Sequence, residues 1–240
     1  MPDVPLSDGA GAFAQASSGC LLEMLQLGDS MFPSGATAFS WGLESMHGDG
    51  IPLQAGALLQ FAAASIERRW AGFDRPFLDR AWRQWASPAA LVDLDRLYEA
   101  MSVGAGPRAA SRRLGFTQLR VHAELGRGRA ADYLSIVRDG RAPGHLAVVQ
   151  GLVWADRGLS LTQAEMMSAY GLAASIAGAA MRMGLTGHVD AQRLLAALRP
   201  AIVAVLAEPC PDPDDAWNGA PAIEVAAMRH EPRVGRLFAT

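Results

Sequence analysis

The chain contains no lysine: all 21 of its basic residues are arginine. A Walker phosphate loop needs lysine against the phosphates, and Schiff-base or pyridoxal enzymes need it as a nucleophile, so both classes are excluded. The phosphate-pairing lysine of protein kinases is missing too. Cysteine is nearly absent. Cys20 and Cys210 are far apart and lack CxxC spacing, which excludes a zinc site or a disulfide framework built on them. Aromatic residues make up 7% and β-branched residues are few, whereas alanine is abundant. This composition favours helix over sheet. The uncharged run between Glu165 and Arg182 is 16 residues. As a helix it would span ~24 Å, short of a ~30 Å hydrocarbon core. Asp3 and Asp8 stand where a signal peptide would carry positive charge, and no apolar stretch follows closely, so the chain is expected to be soluble and cytoplasmic.

What is present is apolar bulk: half of 240 residues, enough for a sizeable core. The net charge of −3 is unevenly spread, with −6 over residues 1–100, +5 over 101–145, +1 over 146–207 and −3 from 208 onward. No segment is a charged tail of the kind that binds nucleic acid, and the basic stretch reads as a solvated helix face or a surface for a charged partner.

Hydrophobic periodicity predicts an all-α chain of nine or ten helices and no strand. Residues 1–17 are Gly/Ala/Ser-rich and aperiodic, a flexible N-terminal arm. A helix follows from Ser18 to near Gly28, a turn at Pro33-Ser34-Gly35, and a second helix from about Ala36 to His47. Over residues 53–73, Leu58, Phe61, Ser65, Ile66, Trp70 and Phe73 form one stripe, and Pro76 opens the next helix. Ser87-Pro88 is a helix start, with Ser as cap and Pro at the first position. Further helices are expected over about 107–125, 129–138, 144–157 and 162–184. The last of these opens on a Thr162/Glu165 capping box, and one over 187–207 is kinked or broken at Pro200. The proline- and acid-rich stretch EPCPDPDDAWNGAP then reads as a linker, before a mixed-charge tail. The domain reading is therefore arm 1–17, helical domain 18–207, and linker with extended C-terminal tail 208–240.

Few constellations carry chemistry. Gly171, Ser175 and Ala179, with Ala173, Ala177 and Met181, let helix backbones approach closely, inside one core or across a subunit interface. Arg182 meets a partner or simply ends its helix. His47, His122, His145, His188 and His230 lack metal-ligand spacing and read as structural or surface groups. Glu23, Asp29 and Glu44 read as helix-end or surface carboxylates. No catalytic residue, metal site or cofactor is predicted. The tail, with Arg229-His230-Glu231 and Arg236-Leu237-Phe238, either packs on its own body or docks on a partner.

The segment Leu21–Glu44 resembles the N-terminal signature of the UreF family of urease accessory proteins. Leu25, Leu27, Asp29, Ser30, Pro33, Gly35, Ser40, Gly42, Leu43 and Glu44 match it without a gap. Pro221, Glu224, Met228, Arg229, His230, Glu231, Arg236, Leu237 and Phe238 match the family's C-terminal pattern. Arg108, Ser111, Gly115, His145, Gly151, Arg182 and Gln192 fit central landmarks in order, while Thr37, Phe39, Trp41, Val234, Gly235 and Ala239 depart from the pattern. The resemblance implies an all-helical homodimer that binds UreD (also called UreH) and recruits the GTPase UreG to apo-urease (UreABC) for nickel insertion. It implies no catalysis, partner binding through the tail residues Arg229 to Phe238, and motif positions Pro33, Gly35, Ser40, Gly42, Glu44, Arg182 and Gln192. It leaves open an arginine from Arg108, Arg112, Arg113 and Arg120 acting on the GTPase. The alternative is a metallochaperone that itself holds nickel through Cys20, Cys210 or histidines.

Overall fold

Alanine- and leucine-rich stretches punctuated by glycine and proline fold as helices. The computed structural model describes residues 18–29, 31–35, 39–126, 128–230 and 238, and among these there are ten helices and no strand. Helix α1 (Ser18–Gly28) lies in a first unit, residues 1–32, where Leu22 and Leu25 are exposed. The second unit, residues 33–240, holds the rest. These are α2 (Leu43–Gly48), α3 (55–83), α4 (Pro88–Met101), α5 (Ala105–Glu124), α6 (Gly128–Arg138), α7 (Leu146–Asp156), α8 (Leu161–Arg182), α9 (His188–Ala207) and α10 (Pro221–His230). No described helix is long and apolar enough to cross a membrane. The expected arm at 1–17 lies outside the described residues.

The long central helix α3 follows the stripe read in the sequence: Leu58, Phe61, Ser65, Ile66, Trp70 and Phe73 are all buried. Each large apolar side chain so buried contributes about 1.5–3 kcal/mol. The helix does not restart at Pro76. It passes from α-helical (Ala55–Ala64) through π-helical (Ser65–Asp74) to α-helical (Arg75–Arg83) without leaving helical dihedrals. In α-helical pairing the Gly72 carbonyl would accept from residue 76, a proline with no N–H. The Trp217 backbone N–H takes that place at 2.9 Å.

That contact also corrects the reading of 208–220 as a linker. The segment is irregular but strapped down. Besides Trp217, Gly219 N–H donates to the Arg68 carbonyl at 3.0 Å, Pro213 is buried, and Arg80 pairs with Asp212. Helix breakers dictate an irregular backbone; they do not dictate a loose one. Beyond it, Pro221–His230 of the tail is helical.

Three other expectations shift. The second helix begins at Leu43, because Trp41 and Gly42 adopt positive φ (56° and 88°), which a right-handed helix does not admit; the start expected at Ala36 lies outside the described residues. The capping box is Ser160/Gln163, not Thr162/Glu165: the Ser160 side chain accepts from Gln163 N and the Gln163 side chain from Ser160 N. Glu165 is instead buried against Arg75. Helix α9 is unbroken at Pro200, an exposed position where water can satisfy the carbonyl that proline leaves without a donor. Ser87 caps α4 as read, accepting from Ala90 N.

Two glycines set helix distances. A Cβ at Gly151 of α7 would lie 2.5 Å from the Leu78 carbonyl oxygen and 2.7 Å from Ala81 Cβ, so glycine lets α7 close on α3. A Cβ at Gly115 of α5 would strike the Gly144 carbonyl. Helices α8 and α9 pack on α3 and bury Ala169, Ala173, Ile176, Leu195 and Leu198 in the main core.

Candidate partner-binding site

The two ends of the second unit meet. Helix α10, near the C-terminus, packs on α2, near the N-terminus, and on the start of α5. The turn before α2 makes the meeting possible. Ser40 is buried and its carbonyl accepts from Leu43 N at 3.0 Å. Trp41 holds a left-handed conformation, which costs a non-glycine residue on the order of 1–3 kcal/mol. Its indole N–H repays part of this by donating to Ser175 Oγ at 2.8 Å, and the Arg69 guanidinium lies 5.5 Å from its ring centroid. At Gly42 a side chain would come within 3.1 Å of the Ile223 carbonyl oxygen and 3.3 Å of Ala227 N. Glycine at this position therefore lets α10 lie against the turn.

From α10 a chain of polar contacts runs inward. Glu224 Oε1 accepts from Asn218 Nδ2 at 2.6 Å and lies 3.5 Å from Arg69 Nε. Arg69 Nη1 donates to Asp74 Oδ2 at 2.5 Å, and Tyr98 Oη donates to Asp74 Oδ1 at 2.6 Å. Burial works against the Arg69 charge, but Asp74, Tyr98 and Glu224 outweigh it and hold the pKa above the ordinary arginine value. The Tyr98 ring stacks on His145, centroids 4.3 Å apart, and His145 Nε2 lies 2.8 Å from Glu99 Oε2. Glu99 in turn reaches Arg108 (3.4 Å) and Arg112 (3.5 Å) on the outer face of α5.

Burial lowers the His145 pKa to about 4, despite the pull of Glu99. Next to it, burial raises Asp95 to about 6, although Asp95 accepts from His145 N (2.9 Å), Gly144 N (2.6 Å) and Tyr133 Oη (3.0 Å). The carboxylate thus pins the start of α7 to α4. Arg112, Arg113 and Arg120 are exposed along α5, and Arg120 also pairs with Glu124 at 3.6 Å. The basic stretch is a helix face, partly neutralised by Glu99 and Glu124.

The motif residues divide. Ser40, Gly42 and Glu44 stand at the α2–α10 junction, with Glu44 in the first turn of α2. A Cβ on Gly35, at φ 77°, would sit in ordinary contact with Thr117 and Leu114 of α5, whereas Pro33 is exposed. Arg182 is exposed, with its guanidinium 4.3 Å from the Phe238 ring centroid. Phe238 is itself buried in the main core with Leu43 and Ile223, so at this position the unpartnered chain packs its end on its own body. Gln192 is exposed on α9 and takes no part in the junction. Arg229 and His230 close α10, and Glu231, Arg236 and Leu237 lie outside the described residues. Sequence reading marked Trp41 only as a departure from the motif and missed Arg69, Asp74 and Tyr98. Arg69, beside Trp70 on the buried stripe, was the one available signal. Of the small residues on α8, Ser175, Ala179, Ala173 and Ala177 are buried, while Gly171 is exposed.

Among the described residues one group elsewhere has metal-ligand chemistry: single atoms of Asp79, Glu165 and Cys210 lie within 4.8 Å of one another. The donors are already committed. Arg75 holds Glu165 through Nε (2.8 Å), Arg83 Nε holds Asp79 (2.7 Å), and burial pushes the Cys210 thiol up to about 12. Two guanidiniums and a neutral thiol do not make a cation site.

Comparison with known proteins gives the family of the helical body. A family profile described as UreF matches residues 54–199. The urease accessory protein UreF of Trichodesmium erythraeum (strain IMS101) is 29% identical over 222 residues, covering 91% of this chain and 96% of that protein. The UreF of Cereibacter sphaeroides (strain KD131) is 31% identical over 224 residues, 93% of this chain and all of that protein. That of Rhizobium etli (strain CIAT 652) is 30% identical over 210 residues, 86% and 90% of the two chains.

Proposed function

The chain belongs to the UreF family of urease accessory proteins, and we propose that it serves urease maturation as a non-catalytic scaffold. On this reading it binds UreD (UreH) through its C-terminal end and recruits the GTPase UreG to apo-urease. Nickel is then the cargo inserted into urease, and the chain works as a homodimer in the cytoplasm. The segment 208–240, strapped to the helical domain over 208–220, is the partner-facing segment. The basic face of α5, with Arg108, Arg112, Arg113 and Arg120, is the surface through which it modulates the GTPase, by an arginine supplied in trans or by ordering the GTPase's own segments.

One observation carries the reading. The N-terminal signature turn and the C-terminal helix are built for each other at Gly42 and Ile223, and the same helix rests on the start of the basic α5. A change at the tail is therefore placed to reach α2 and α5 together. In the buried polar chain His145 lies in the core against Glu99, and the acids are each held by a guanidinium, tyrosine or backbone N–H. The test is size-exclusion of the purified chain mixed with UreD and UreG. The expected result is co-elution of all three; elution of the chain apart from both would contradict the scaffold role.

A further inference from the structure

Trp217 is half-exposed, at 53% of its surface, yet it is not on a loose loop. Its backbone N–H is fixed to the Gly72 carbonyl left open by Pro76, and the next tie, Gly219 N–H to the Arg68 carbonyl, follows two residues later. Its ring rests against two glycines. A Cβ at Gly72 would lie 2.5 Å from the Trp217 carbonyl oxygen and 3.1 Å from ring atom Cε2, and a Cβ at Gly219 would collide with the six-membered ring. The structure thus holds a tryptophan in one place while leaving much of its indole in water, at the cost of exposed apolar area.

The surroundings are acidic. Residues 208–217 carry Glu208, Asp212, Asp214 and Asp215 and no basic residue. Pro213 anchors the short helical turn Pro213–Asp215 by burial. Asp212 is taken by Arg80 and by Asp214 N. The side chains of Glu208, Asp214 and Asp215 are exposed and form no ion pair among the described residues. Arg68, whose carbonyl holds Gly219, is exposed, and even counted together with Arg80 it leaves the four acids in excess. An exposed indole with exposed carboxylates two and three residues before it is the chemistry that receives a guanidinium or ammonium group, by cation–π contact and charge-assisted hydrogen bonds.

We propose that Trp217, with Asp214 and Asp215, is a docking surface for an arginine- or lysine-bearing segment of a protein partner. The occupant follows from charge complementarity: the acids exclude nucleic acid and anionic membrane, and a purely apolar partner would bury the carboxylates unpaired. The ring supplies a rigid anchor with little entropy left to lose on binding. This surface lies within the segment 208–240 and rests on the reading that this segment faces a partner, while its test, peptide binding to the full chain, involves neither UreD nor UreG.

The test uses the full chain and a fluorescent peptide of alternating arginine and glycine, with the matching glutamate peptide as control, read by anisotropy at low salt. The arginine peptide is expected to bind saturably and the glutamate peptide not at all. Trp217→Ala and the double variant Asp214→Asn/Asp215→Asn should each weaken binding by about fivefold or more. Asp132→Asn, an exposed acid on α6, should leave it unchanged. The double variant alters side chains that pack on nothing described, so its folding is not in question. No binding by the native chain, native affinity in either Trp217→Ala or the double variant, or an equal loss in Asp132→Asn would overturn the proposal.

Discussion

The carbonyl of Gly72 accepts the backbone N–H of Trp217 at 2.9 Å, in the place that residue 76 would fill were it not proline. A proline that would ordinarily interrupt a helix has here become an attachment point for a distant loop. Pro76→Ala restores a local donor that competes with Trp217. The expected outcome is about tenfold weaker amide protection at Trp217 and Gly219, the loss of roughly one hydrogen bond's net worth. Hydrogen exchange followed by mass spectrometry checks this, with protection in α8 and α9 unchanged.

Gly42→Ala should act at the junction. Its φ of 88° is unfavourable for alanine, and the new methyl meets Ile223 O and Ala227 N. A cost of about 1–3 kcal/mol is expected, borne by the contact of α10 with α2 more than by the core. Faster exchange confined to 221–230, before any shift in the main thermal transition, is the expected signature.

The core and caps were legible because they repeat locally. Leu58, Phe61, Ile66, Trp70 and Phe73 recur at helical spacing, and Ser87-Pro88 needs only its own neighbours. What could not be read depends on groups far along the chain. Trp41 at positive φ is held by Ser175 and Arg69, which lie far from it in sequence. Glu165 left the expected capping box because Arg75 of α3 binds it in the core. Ser40 and Gly42 were marked by the motif, but the reason for Gly42 lies in α10. The buried chain Arg69–Asp74–Tyr98 draws on two helices, and no spacing rule links them.

Acidification offers a test with opposed signs. Asp95 sits at about 6 in the fold against an ordinary 3.8, so as pH falls from about 6 to 4 the folded chain takes up this proton first and gains stability. His145 sits at about 4 against 6.5, so over the same fall the unfolded chain protonates first and the fold loses stability. Each contribution is about 3 kcal/mol, and the two largely offset between about pH 4 and 6. Asp95→Asn should therefore lose stability on acidification through this window, and His145→Gln should gain it. Urea midpoints across the window decide; parallel profiles for the two variants would contradict the burial of these groups.

Nickel should not be held by the isolated chain. With Arg75 and Arg83 on the carboxylates of Glu165 and Asp79 and the Cys210 thiol pushed to about 12, the donor cluster found among the described residues is not ready for a borderline cation. Equilibrium dialysis at neutral pH is expected to show no stoichiometric sub-micromolar binding, and Cys210→Ser should leave the result unchanged.

The scaffold reading is tested most directly by co-purification with UreD of the full chain and of a chain ending at residue 228. Because Phe238 is buried against Arg182, the shortened chain is first compared with the full one by circular dichroism and thermal melting. An Arg236→Ala/Leu237→Ala variant, which keeps Phe238, is run beside it. The account predicts a folded helical body in both and loss of UreD capture in both. Capture by the shortened chain equal to that of the full chain would contradict it.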